Sequence, residues 1–265
     1  RARPSLVSQI QIPLPPLPEQ KRIAAILNEQ MAAVEKARAA AEAELAAAKA
    51  LPAAYLREVF PGPGEELPEG WRWVKLGEVC RDISDGTHFT PTYIESGIPF
   101  LSVKDVKENG IFFKNCRYIS EDQHNEFCKR CKPEKGDVLY TKVGTTGIAK
   151  AIEIDKEFSI FVSVALLKLN NYITPSYLEK VLNSPVCRTQ AEKLTQGMAN
   201  RNLVLRDLKL ITLPLPPLPE QKRVAAHLTE RMSQAEKLRT ALEEQLKEIN
   251  ALPSSILRKA FSGGF

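Results

Sequence analysis

Side chains able to do chemistry are concentrated in a few short stretches. Thr141-Lys142-Val143-Gly144-Thr145-Thr146-Gly147 combines a cation, three hydroxyls and two glycines that let backbone come close to a ligand. Asn200-Arg201-Asn202 sets amide, guanidinium and amide in a row, Asp85-Gly86-Thr87-His88 is a turn carrying an imidazole, and Lys104 and Lys107 lie beyond an expected strand. Lysine, arginine and hydroxyls bind phosphates, while Asn and Arg form two-pronged pairs with adenine and guanine edges, so these stretches suit contact with nucleic acid. Each also has an ordinary reading: a polar hairpin at 141–147, a solvated loop at 85–88, plain surface lysines at Lys104 and Lys107.

Signals for catalysis are faint. Asp85 with Asp105-Val106-Lys107 echoes the carboxylate pair and lysine that hold a metal ion in nucleases, but loose triplets of this kind are common. A methyltransferase needs a glycine-rich cofactor loop after a strand and a polar-Pro-Pro-aromatic motif beside the target base, and neither occurs. Cys128-Lys129-Arg130-Cys131 is a lone CxxC; His124 and Cys116 would complete a zinc set, yet the second close pair is missing. No catalytic residue and no metal ligand is therefore expected. Trp71 and Trp73 read as core anchors.

The elements that must position these stretches are organised by a repeat. The ten residues Pro13 to Arg22, PLPPLPEQKR, recur unchanged at Pro214 to Arg223, and identities continue without a gap at an offset of 201: Met31 with Met232, Glu35-Lys36 with Glu236-Lys237, Leu45 with Leu246, Phe60 with Phe261. Each copy opens with a proline strip that must be extended, because proline fixes its own φ and pushes its predecessor out of the α region. A helix follows, with Pro18 and Pro219 suited to its first position and Glu19 and Glu220 placing acid in its positive first turn.

Small or apolar residues then recur in steps of four and three: Leu27, Met31, Val34, Ala41, Leu45, Ala48 in the first copy, and Leu228, Met232, Ala235, Leu242, Leu246, Ile249 in the second. This is a coiled-coil seam, interrupted in both copies by an arginine, Arg38 and Arg239. Two such helices are best satisfied by pairing antiparallel with the intervening segment at one end. Pro52 and Pro253 should end or kink them. From Glu19 to Lys49 the first helix measures roughly 46 Å at ~1.5 Å per residue, longer than one turn of B-DNA.

The intervening segment has a different texture, with aromatics, β-branched residues and glycines at turns. It reads as an α+β domain with strands over 73–74, 98–103, 111–113, 137–142, 149–154 and 161–168. Helices are expected over 120–128 behind an N-cap at Ser120, over 176–183, and over 186–194 after Pro185. The expected organisation is 1–12 as the tail of a preceding domain or a linker, 13–61 as the first helical repeat, 65–206 as the mixed α/β domain, and 213–265 as the second repeat.

At 265 residues with 43% hydrophobic residues, the chain can bury a real core. A net charge of +5 permits a polyanionic partner without proving one. Five cysteines, an odd number, argue for free thiols in a reducing compartment, and no apolar run reaches membrane-spanning length, so a cytoplasmic location is expected.

Together, LPEGWRWVKLGEV (Leu67 to Val79), GIPFLSVKDV (Gly97 to Val106), GDVLYTKVGTTG (Gly136 to Gly147) and SYLEKVLNS (Ser176 to Ser184), running into PLPPLPEQKR, resemble the specificity subunit of type I restriction-modification enzymes. The resemblance implies a target-recognition domain between two long helices paired as an antiparallel coiled coil. It implies a non-catalytic subunit that reads one half of a bipartite site on double-stranded DNA. Methyltransferase subunits would dock on the helices and the restriction subunit would join through the complex, with S-adenosylmethionine and ATP bound on those partners.

The expected DNA contacts are Thr87, His88, Lys104, Thr141, Lys142, Thr145, Thr146, Asn200, Arg201 and Asn202, and the expected docking residues are Lys21, Arg22, Lys222 and Arg223. A full subunit resembles two recognition domains joined by two helices, whereas one domain is present here, which leaves open a fragment or a half-subunit that forms a homodimer. The rival readings are a coiled-coil adaptor without a DNA role, which leaves the central domain idle, and a stand-alone nuclease.

Overall fold

The computed structural model describes residues 14–197 and 201–262, so the expected tail at 1–12 lies outside the described residues. The chain forms two compact units, one containing residues 14–51 and 233–262 and the other spanning Pro52–Met232. Two long helices contribute to both: α1 (Leu17–Val59) and α7 (Leu218–Phe261), each beginning one residue before the proline expected to start it.

In the first unit the heptad-like spacing does what it predicts. Val34, Ala41, Leu45 and Ala48 are buried on α1, and Ala235 and Leu242 on α7. Leu45, Ala48 and Leu242 pack together with Leu246 against them, and Lys49 Nζ lies 3.7 Å from Glu243 Oε1 beside that seam. Alanine at three of these positions lets the helices approach closely. The seam arginines are half-buried: the Arg38 guanidinium turns to Glu35, and that of Arg239 to Glu236 and Glu243, so their stems cover apolar surface while their charges stay wet.

The second unit holds the mixed α/β domain. Here the helix segments run antiparallel, since Arg231 stacks on Tyr55 (3.8 Å) and pairs with Glu58 (2.9 Å) while Val59, a turn later on α1, faces Val224 and His227, a turn earlier on α7. Pro52 does not end α1, and Pro253 does not end α7, contrary to one of the two outcomes expected from sequence. Loss of one backbone bond and a ring clash cost about 3 kcal/mol. In α1 that cost is offset because the next turn buries Leu56 and the helix delivers Phe60, just past its end, into the core edge-on to Tyr177 at 5.8 Å.

Four short sheets build the domain. After β1 (Arg72–Lys75) and α2 (Leu76–Val79) come β2 (Cys80–Asp85), β3 (Ile98–Leu101), the hairpin β4 (Val106–Lys107) and β5 (Gly110–Ile111), β6 (Arg117–Ile119) and α3 (Glu121–Cys128). Then follow β7 (Val138–Thr141), β8 (Ala149–Ala151), β9 (Ser159–Ile160), β10 (Val164–Leu169), α4 (Pro175–Leu182), α5 (Pro185–Leu194), α6 (Leu205–Leu208) and β11 (Thr212–Leu215). The central sheet is antiparallel in the order β2-β10-β7-β8; β6-β3-β9 has a parallel pair at β3–β9.

β7 is buried at every position, as is β10 from Val164 to Leu167, because the sheet is covered on both faces. Val138, Tyr140, Ala165 and Leu167 join the core with α4 and α5, and the alternate residues Leu139, Val164 and Leu166 join a second core with Leu101, Val106, Phe158 and Ile160. Ser120 caps α3 as expected, accepting from Gln123 N at 3.3 Å, and Thr174 caps α4. Trp71 and Trp73 pack against the first core.

The two copies of PLPPLPEQKR sit in different surroundings. The second extends as β11, pairing Pro214 with Trp73 on β1, and Tyr177 Oη donates to Pro214 O at 2.6 Å. Fully buried Gln221 donates to Tyr172 O and Pro216 O and accepts from Thr174 N at 2.9 Å. In the first copy, within the other unit, Leu14 and Leu17 are exposed, and among the described residues Gln20 bonds Pro15 O alone.

Candidate nucleic-acid interface

β2 ends at Asp85, whose carboxylate is buried within the central sheet's end. Gly86 follows, and a Cβ there would stand 1.9 Å from Ile160 O, so only glycine lets this strap lie against β9. Thr87 N then donates to Ile160 O and Thr87 O accepts from Val162 N, which fixes the turn that presents His88 to solvent. Around Asp85 stand three basic groups: Lys142 Nζ at 3.2 Å, Arg130 Nη2 at 2.6 Å and His88 Nε2 at 3.2 Å. One carboxylate thus ties together the 85–88 turn, the end of α3 and the end of β7.

From Lys142 the network extends both ways. Its N–H donates to Ser163 O, and Ser163 Oγ accepts from Val103 N, next to the exposed Lys104. Its carbonyl accepts from Leu203 N, while Gly144 N donates to Arg201 O and Val143 bridges Asn202. The 141–147 loop and the segment beginning at Arg201 therefore form one paired surface although they are far apart in sequence. Gly144 and Gly147, with φ of +75° and +93°, supply the left-handed conformations that close the loop.

Thr87, His88, Lys104, Thr145, Thr146, Arg201 and Asn202 all belong to this surface, with Asn202 also paired to Gln196 through backbone. Asn200 lies outside the described residues. Two expectations are corrected. Thr141 is fully buried, its Oγ1 accepting from Ile148 N at 2.9 Å, and Lys142 is buried with its ammonium on Asp85, so both hold the loop in shape and neither reaches a ligand.

Sequence reasoning passed over Arg130, read there only as part of CxxC, and Arg188 on α5. It also passed over Phe89, 81% exposed beside His88. The carboxylates of the faint nuclease echo are engaged elsewhere, Asp85 as above and Asp105 accepting from Ser102 N and Oγ at 2.7 and 2.9 Å. Among the described residues no three His, Cys, Asp or Glu side chains are arranged to hold a metal ion. Burial raises the Cys131 thiol to about 11 and the Cys80 and Cys187 thiols to about 12, so these cysteines stay protonated and unreactive.

On the long helices, Lys21 and Lys222 are exposed, and Arg22 and Arg223 pair locally with Glu19 and Glu220, each at 2.6 Å. No described helix is long and apolar enough to cross a membrane.

Residues 68–251 match the family described as type I restriction modification DNA specificity domain. The chain belongs to this family. Relatives of the specificity-domain chain include the EcoBI specificity subunit of Escherichia coli, 28% identical over 95% of this chain and 58% of that one. The MjaVIII specificity subunit of Methanocaldococcus jannaschii is 26% identical over 97% and 63%. The HsdS subunit of Thermoanaerobacter tengcongensis superposes with a TM-score of 0.64 at 31% identity, covering 96% of this chain and 61% of that one. A chain from a structure of assembly and conformational transition in a type I R-M system gives 0.80 at 30%, covering 96% and 62%. The specificity-domain chain spans about three fifths of the length of these relatives.

Proposed function

We propose that this chain recognises a short DNA sequence as the specificity component of a type I restriction-modification complex, without catalysing a reaction itself. The observation that carries the reading is convergence: turn 85–88, Lys104, loop 141–147 and the segment from Arg201 are dispersed in sequence and joined in one surface by the network around Asp85 and Lys142. That surface presents hydroxyls, an imidazole and guanidiniums on short loops held by sheet ends, the arrangement base reading requires. The specificity-domain family and the names of the relatives support it.

Double-stranded DNA is the ligand, and methyltransferase subunits are the partners, docking on the helices at Lys21, Arg22, Lys222 and Arg223. S-adenosylmethionine and ATP belong to partner subunits, the restriction subunit joins through the complex, and the working compartment is the cytoplasm. A second recognition domain, from a longer chain or a second copy, would cover the first proline strip as this domain covers the second. In a gel-shift assay one duplex should shift in a salt-dependent way and be competed poorly by random DNA, with H88A and K104A together abolishing that discrimination. Equal competition by specific and random DNA would refute the reading.

A further inference from the structure

Beside the loop at Gly144 lies a cavity of about 290 Å³ lined by Thr145, Thr146, Arg188, Glu192 and Arg201. Its two guanidiniums come from different elements, α5 and the segment paired with the loop. Each is held by one carboxylate: Arg201 Nη2 by Glu192 Oε1 at 3.0 Å, and Arg188 Nη2 by Glu108 Oε1 at 2.7 Å, with Asn183 Oδ1 at 3.1 Å. Arg188 Nε is buried and has no partner among the described residues. Glu192 and Glu108 are 71% and 57% exposed, so these pairs hold weakly and exchange readily.

From this geometry we infer that the cavity is a phosphate site, that Glu192 in its lining and Glu108 on Arg188 stand in for phosphate when DNA is absent, and that the phosphate it takes is one of the DNA backbone. The inference rests on the DNA reading above and adds residues and a role to it. A phosphate oxygen pair matches the planar fork of each guanidinium, and charge-assisted bonds of that kind are about twice as strong as neutral ones. A base edge would meet two like charges and leave one of them unmatched. The hydroxyls of Thr145 and Thr146 add donors, and a Cβ at Gly144 would meet nothing within 4 Å, so the rim is open for backbone to approach. Occupation then works by exchange: the phosphate takes the guanidiniums and the two glutamates swing into water. Arg188 and Arg201 thereby fix register on the duplex and leave base reading to neighbouring loops.

Two measurements on the full chain test this. In the first, inorganic phosphate is titrated into isotope-labelled protein. Amide shifts should be centred on Gly144, Thr145 and Thr146 and disappear in R188Q and R201Q; no shifts there would overturn the site irrespective of whether any DNA sequence is recognised. In the second, duplex affinity is measured over a salt series. R201Q should weaken binding about tenfold for all sequences alike and make the salt slope shallower by about one. E192Q should strengthen binding about threefold, whereas E126Q, which removes an equally exposed carboxylate from α3, should change it less than about twofold. A changed base preference in R201Q with an unchanged slope would make Arg201 a base reader and overturn the proposal. Phosphate-induced shifts with no effect of R201Q on DNA would overturn the DNA backbone as the source.

Discussion

At the scale of single residues, Lys142 shows how a side chain can carry the right chemistry and the wrong exposure. Nothing in 141–147 marks its lysine as buried, because its partner Asp85 is distant in sequence and the contact exists only once β10 has brought β2 and β7 into one sheet. The same holds for Thr141, whose hydroxyl closes the loop and does not face a ligand. His88 and Thr145 are legible as surface polar groups because the turn glycines Gly86 and Gly144 lie just before them, and Arg201 because it stands between two amides. Asp85 keeps Arg130 and His88 when Lys142 is removed, whereas buried Lys142 pairs among the described residues with Asp85 alone, so Asp85→Asn strands the ammonium and should cost about 3 to 5 kcal/mol of stability. Thermal unfolding should show a fall of roughly 10 °C for a domain of this size, and a fall under about 2 °C would mean that the pair does not hold the loop.

At the scale of elements, the long helices and the amphipathic α4 and α5 could be read from periodicity and capping, since their patterns are local. β2, β6 and β9 were not legible: they are short, they pair with strands remote in sequence, and Cys80–Asp85 offers no alternation. β11 was read as an extended proline strip but not as a strand; an edge position tolerates the missing N–H of Pro214. The repeat supplies an internal control here. Gln221 completes three hydrogen bonds in a dry site, whereas half-buried Gln20 makes one among the described residues. Gln221→Ala should therefore destabilise by about 2 to 3 kcal/mol, with Gln20→Ala within about 0.5 kcal/mol of wild type. Denaturant unfolding of both variants checks this, and equal costs would contradict the two environments described.

At the scale of the whole molecule, the sequence repeat led to the antiparallel pairing, while the helices proved longer than their prolines foretold. α1 has 43 residues, roughly 65 Å at ~1.5 Å per residue. If the helices set the distance between two half-sites, lengthening them should lengthen the spacer and nothing else. The pairing of Lys49 with Glu243 gives the register, so a heptad inserted after Glu44 and another after Leu246 face each other and preserve the seam. The gain of ~10.5 Å corresponds to about three base pairs. Mapping of methylated sites by the assembled enzyme should show the same half-site bases with a spacer longer by about three; altered bases with an unchanged spacer would contradict this division of labour.

In the reading proposed above, the surface organised around Asp85 and Lys142 reads DNA sequence. The most direct measurement is selection by the purified chain from a library of fully randomised duplexes, followed by sequencing of the retained molecules over successive rounds. One short base motif should be enriched, and the enrichment should disappear when His88 and Lys104 are both replaced by alanine. Retention of duplexes with no enriched motif, or the same motif retained by the double variant, would contradict that reading.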